Sequence, residues 1–216
     1  MGSRAVALIG AVLATLVVTA VAAAAVINGT PGDDVLRGTD QADEMRAFAG
    51  SDRVYGRDGA DLVRAGTGDD GVRAGDGGDL AYGGQGNDSI AGGNGDDRLY
   101  GGSDADHVLG GDGGDRLSGN KGPDVVSGKD GPDSIFGGGG ADRAFGGSGN
   151  DELHALAADN DPDLLNCGPG DDKAFVLRSE RSSTKLVGCE TLLIVVELTS
   201  DQEEGETSDA DAEADG

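Results

Sequence analysis

From Gly29 to His154 the chain is fourteen consecutive nine-residue units with no insertion. The sixth position is Asp in all fourteen, from Asp34 to Asp151, and the eighth is apolar in all fourteen, from Leu36 to Leu153. The fourth is Gly in twelve, with Gln41 and Asp104 as the exceptions. The first is Gly in eleven, with Ala47, Ala65 and Ala74 in the other three. A flexible Gly/Asp linker is excluded, because nothing would hold a linker in phase over fourteen units. Gly at positions one, two and four permits φ > 0 and close backbone approach, so positions one to six are expected to turn. The last three, with an aliphatic residue in the middle, suffice for one short strand with that side chain on one face. Two units then close an eighteen-residue coil, and repeat n lies beside repeat n+2. The expectation is an all-β solenoid of two parallel sheets whose position-eight side chains face each other. Seven such coils give a rod of about 34 Å at ~4.8 Å per coil.

Composition decides what can hold such a rod together. The chain has 216 residues, 42 of them Gly, and 41 Asp and Glu against 16 Lys and Arg, for a formal charge of −25. Hydrophobic residues make up 36%, but 21 of them lie in Met1–Ile27. The rest of the chain falls well below the ~45–50% apolar content of globular domains. Too few large side chains remain for an ordinary core. A charge this negative also repels nucleic-acid phosphates and anionic lipid. What remains is an acidic disordered chain or one whose acid is neutralised by bound cations, and the strict repeat selects the second. One carboxylate per repeat, at the turn–strand junction, converges with turn carbonyls of repeats n and n+2. Such all-oxygen, multidentate sites suit Ca²⁺ rather than Zn²⁺, and Mg²⁺ less, because it keeps several waters in a strict octahedron.

The pattern G-G-x-G-x-D-x-U-x, with U aliphatic, resembles the hemolysin-type, or RTX, calcium-binding repeat. The resemblance covers Gly29–His154. It implies a parallel β-roll with calcium held between successive Gly-Asp turns. Carried over by position, the metal carboxylates are Asp34, Asp43, Asp52, Asp61, Asp70, Asp79, Asp88, Asp97, Asp106, Asp115, Asp124, Asp133, Asp142 and Asp151. The cleanest loops are Gly83–Asp88, Gly92–Asp97, Gly110–Asp115, Gly137–Asp142 and Gly146–Asp151. Thr30, Thr39, Phe48 and Arg57 replace the second Gly, and Gln41 the fourth, so looser or vacant sites are expected at the N-terminal end.

The flanks read differently. Arg4, the apolar run to Ile27 and the small residues Ala20–Ala25 describe a secretory signal peptide spanning residues 1–25, with cleavage near Ala25 or Val26. The alternative is an uncleaved anchor holding the protein at the cell surface, since 23 residues can span a bilayer. Either way the remainder is delivered outside the cytoplasm, and after cleavage no membrane insertion is expected. Residues 155–199 are expected to hold one degenerate repeat, Cys167–Phe175, displaced by a 12-residue insertion, and then a β-rich terminal cap, Lys185–Leu198. An open roll needs such a cap over its last strands. Cys167 and Cys189 are the only cysteines of an exported chain, so a disulfide is the expected pairing, with two buried thiols as the alternative. Secreted RTX proteins of high-GC Gram-positive bacteria look similar here, with an N-C-G-P-G-x-D turn and a later C-E pair, matched by Asn166–Asp172 and Cys189-Glu190. Residues 200–216 carry eight acids and no base, and are expected to be a disordered, solvated tail.

No enzyme is expected. His107 and His154 fall in variable columns and read as surface positions, and no Cys-His, Ser-His-Asp or H-E-x-x-H arrangement exists. The function expected is calcium binding itself by a secreted repeat protein. The alternative is a calcium-rigidified adhesin or matrix component with a cell-surface or polysaccharide partner. Tyr55, Tyr82, Tyr100, Phe136 and Phe145 at position nine would form its exposed aromatic stripe. The plainer reading is that these rings pack on neighbouring strands.

Overall fold

A computed structural model describes residues 6–7, 24–159 and 161–195. The chain winds as a parallel β-roll. Among the described residues each strand from Val26 onward pairs with the strand two further along, so one sheet of eleven strands and one of nine lie on opposite sides of the coil. The register is eighteen residues throughout the repeats, as in Leu99↔Leu117 and Val108↔Val126. Even-numbered repeats build the wider sheet and odd-numbered repeats the narrower. The strand Val26–Asn28 pairs with Glu44–Arg46 and buries Ile27 beside Met45, so the roll begins half a coil before the first full repeat.

The strands are longer than the repeat pattern suggests. Typical ones, such as Leu62–Thr67 and Arg98–Ser103, run six residues, from position seven through position three of the next repeat. Positions one to six were expected to turn, but only positions four to six do. The reason is that a parallel ladder is made of backbone groups, which Gly supplies as well as any residue. At position two the chain takes φ > 0 within the strand, as at Gly84 (φ 117°), and non-glycines are held there too, including Arg57 (φ 89°) and Lys129 (φ 93°).

Alternation places positions six, eight and one on the inner face. Every position-eight side chain from Leu36 to Leu153 is buried, most of them completely, in one continuous cluster. Each Leu or Ile in that row removes enough apolar surface to stabilise the roll by about 1.5–3 kcal/mol. On the outer face, position-nine side chains form ladders. Tyr82 stacks on Tyr100 (centroids 5.1 Å apart), and His154 is sandwiched between Phe136 (4.2 Å) and Phe175 (4.5 Å). His154 is therefore not the free surface residue expected of it. Burial pushes its pKa down to about 4, whereas His107 is exposed as expected.

The C-terminal quarter departs from expectation. The insertion after His154 is three residues, not twelve, and lies beyond Ala155, which still pairs with Val176 and is buried in the core. Beyond it the chain makes a further half-coil, with Asp163 in the sixth position and Leu165, 1% exposed, in the eighth. The register lengthens accordingly to twenty-one residues, as in Arg143↔Leu164 and Glu152↔Lys173. Lys185–Val187 and Thr191–Val195 continue the ladders as the last strand of each sheet instead of lying across the open end. Leu193 and Ile194 stay exposed there. Cys167 and Cys189 are joined, tying two adjacent coils at one corner. Of the N-terminal segment, Val6–Ala7 pairs in parallel with Val26–Ile27. The rest of the expected signal peptide, with its cleavage frames, lies outside the described residues apart from Ala24 and Ala25, and so does the acidic tail. Among the described residues no helix is long and apolar enough to cross a membrane.

Candidate metal centres

Because position six faces inward, the repeat aspartates are buried, apart from the half-buried Asp34. From Asp43 to Asp151 each is only 1–4% exposed. They form two columns, one along each sheet, with one carboxylate per coil. Within a column each Oδ1 accepts the backbone N–H of the aspartate one coil earlier. Asp70 donates to Asp88 at 2.8 Å, and Asp88 donates to Asp106 at 2.7 Å. The pattern holds from the Ala25 N–H on Asp43 to the Asp151 N–H on Asp172.

The second oxygen is left over. Oδ2 of every repeat aspartate from Asp52 to Asp151, and of Asp172, is buried and has no hydrogen-bond partner. A buried carboxylate oxygen without a donor is costly to ionise. Burial, reinforced in most by the carboxylates above and below, raises these pKa values to about 8 at Asp88 and about 7 at Asp97, Asp106, Asp124 and Asp142. At Asp70 the value is about 6, and Asp79, Asp115 and Asp151 are also raised, all chiefly by burial.

The glycine at position one keeps the space beside Oδ2 open. A Cβ at Gly83 would strike Asp88 Oδ2 and the Gly101 carbonyl oxygen one coil on, and one at Gly119 would strike Asp124 Oδ2 and the Gly137 carbonyl. From Gly83 to Gly146, except at Gly137, each cradle is thus lined by a carboxylate oxygen of repeat n and a carbonyl oxygen of repeat n+2. Such a donor set holds hard cations of the calcium class. The residues present fit that ion.

The fourteen aspartates are not equivalent. At Asp34 and Asp43 Oδ2 is already occupied: Thr30 and Thr39, at position two, donate to it from the backbone N–H (2.5 Å each) and from the hydroxyl (2.9 and 3.1 Å). At Asp52, Asp70 and Asp79 the position-one residue is Ala47, Ala65 or Ala74, whose methyl occupies the space that Gly leaves open elsewhere. Conversely, Asp163 continues the narrow-sheet column, accepting the Asp142 N–H at 2.9 Å. The spacing Asp163-x-Leu165 was its only signal, hidden by the shift of register. Glu190 closes the wide-sheet column by accepting the Asp172 N–H at 3.1 Å.

Two parallel sheets stacked around columns of half-satisfied carboxylates define a β-roll with candidate cation sites along both sheets. The chain belongs to the RTX calcium-binding nonapeptide repeat family: four copies of the family's repeat model match residues 28–63, 46–81, 82–117 and 118–153, more than half of the chain. No curated protein matches the chain as a relative.

Proposed function

We propose that the protein is a secreted calcium-binding module in which the ions are part of the fold. Calcium would be held between the turns of repeats n and n+2, by the Oδ2 atoms of Asp61 and of Asp88 through Asp151 and the position-one carbonyls facing them. The observation that carries this reading is the run of buried Oδ2 atoms with no donor, which at Asp61 and from Asp88 to Asp151 lie beside a glycine whose missing Cβ leaves room next to them. Asp52, Asp70 and Asp79 are weaker sites beside their alanines, and Asp34 and Asp43 the weakest, because threonine already satisfies them. Bound calcium supplies the positive charge that lets stacked carboxylates ionise inside the roll. The residues of the roll supply only binding and packing, so the reading requires no catalysis.

The apolar leader Met1–Ala25 and the disulfide fit export to an oxidising compartment. The aromatic column does not favour the adhesin alternative. Sugar rings are bound on exposed aromatic faces, whereas Tyr82, Tyr100, Phe136 and Phe175 turn their faces to one another or to His154. Equilibrium dialysis of the secreted protein tests the reading. Several calcium ions per chain, retained against excess Mg²⁺, are expected; binding of one ion or none would overturn it.

A further inference from the structure

The two carboxylate columns end differently. In the wide sheet Glu190 takes the place of the next aspartate. In the narrow sheet the residue in register after Asp163 is Thr184, immediately before Lys185, which pairs with Leu164. A hydroxyl carries no charge, and the Thr184 N–H is bonded to the Glu180 carbonyl at 2.9 Å. A carboxylate arrives instead from outside the repeat. The short helical turn Glu180–Ser182 sits in a three-residue insertion between the strands Lys173–Leu177 and Lys185–Val187, and it buries Glu180 to 1% exposure. Oε2 accepts the Ser183 hydroxyl at 2.9 Å, but Oε1 is buried with no partner. The Thr184 hydroxyl, in a residue 5% exposed, is buried without a partner too. Asp163 stands one coil back in the same register: its carbonyl oxygen accepts the Lys185 N–H at 2.7 Å, directly after Thr184. Two carboxylates and a hydroxyl, with two orphaned oxygens and no nitrogen or sulfur donor among the three, form a set that a divalent hard cation would neutralise.

We propose that Asp163, Glu180 and Thr184 form a cation site outside the nonapeptide pattern, taking an ion of the calcium class and closing the narrow-sheet column. Only the choice of ion rests on the repeat reading. The insertion then has a purpose: it delivers a carboxylate where the last coil has lost its aspartate, and pins the final strand to the coil before it.

Hydrogen exchange with and without calcium, together with native mass spectrometry to count bound ions, tests this on the secreted protein and on Glu180→Gln. Calcium should slow exchange of residues 178–187 by at least ~10-fold in the wild type, as for a locally stabilised unit. Glu180→Gln should lose that protection and one bound ion while residues 83–151 still respond. A variant that keeps the wild-type protection and ion count overturns the proposal. A response at 178–187 with none in the repeats upholds it and sinks the repeat reading; no response in either sinks both. Should Glu180→Gln leave the last coil unfolded even in calcium, Thr184→Val decides, since it keeps the charge. A reduced response at 178–187 supports the site, and an unchanged one overturns it.

Discussion

Repeats before and after Gly83 share one backbone path and fill the corner beside the aspartate differently. In residues 29–82, position one is Ala at 47, 65 and 74, and position two is Thr at 30 and 39. Ala47 and Ala65 join the apolar cluster, and the threonines satisfy their own aspartates. From Gly83 to Gly146 position one is Gly without exception, and every aspartate from Asp88 to Asp151 keeps a bare Oδ2. On the proposed reading, the early coils replace part of the cation's work with methyl groups and hydroxyls, whereas the later coils leave the space open for the ion. The same coil would then be built with two degrees of calcium dependence.

The largest expected effect comes from removing calcium. Contacts in a solenoid run only between neighbouring coils, so its parts can open separately. Chelation should speed amide exchange in residues 83–154 by at least ~10-fold more than in residues 29–82. Loss of protection in both regions at the same free calcium would break the comparison.

Acid should substitute for calcium in part. Asp88, Asp97, Asp106, Asp124, Asp133 and Asp142 have folded pKa values of about 7 to 8, raised chiefly by burial. Unfolded aspartates titrate near ~3.9. The metal-free roll thus binds protons more tightly than the unfolded chain. Its stability is greatest below about pH 4 and falls as pH rises through about 7. Calcium affinity should run the opposite way, weakening as pH drops from about 8 towards 6, because protons compete for Oδ2. Metal-free protein should gain β signal on acidification to about pH 4–5, followed by circular dichroism. A metal-free roll that loses structure as pH falls from 7 to 5 would contradict the burial of these groups.

Single sites sharpen the comparison further. With Kd near ~10⁻⁴ M and calcium near ~10⁻³ M, one site contributes about 1.4 kcal/mol. Asp97→Ala or Asp115→Ala should cost that much and raise the calcium midpoint of folding. Asp43→Ala should leave the midpoint nearly unchanged, since Thr39 already holds that carboxylate. Equal midpoints for the three variants would remove the distinction. The smallest effects belong to position one. Gly92→Ala should weaken calcium binding, its Cβ meeting Asp97 Oδ2. Ala65→Gly should do the reverse at Asp70, and should lower calcium-free stability by about 1 kcal/mol through lost burial and gained chain entropy. Isothermal titration of the two variants reads both, and shifts of the same sign would contradict the cradle.

The repeat made the coil, its eighteen-residue register, the position-eight core and the pairing of Cys167 with Cys189 legible, because each follows from periodicity or from cysteine count. Strand length was not legible, since hydrogen bonding in the ladder ignores side chains and glycines at positions one and two pair as readily as valine. That the aspartates point inward follows from alternation only once the strand is known to run on through position one. Asp163 was hidden by the three-residue insertion beyond Ala155, and Glu180 by lying outside any repeat. The self-satisfied state of Asp34 and Asp43 was not legible, because it rests on a backbone N–H meeting a side chain four residues on. His154 read as a surface residue because its column varies; stacking partners one coil away are eighteen and twenty-one residues distant in sequence.

The central claim is that the buried Oδ2 atoms hold calcium and that the roll needs it. Circular dichroism of chelator-treated, secreted protein across a calcium titration tests this most directly. Loss of most of the β signal without calcium, with residues 29–82 supplying what remains, a cooperative rise as calcium is added, and no comparable response to Mg²⁺ are the predicted results. Full β structure at neutral pH in excess chelator, or the same response to Mg²⁺, would contradict it.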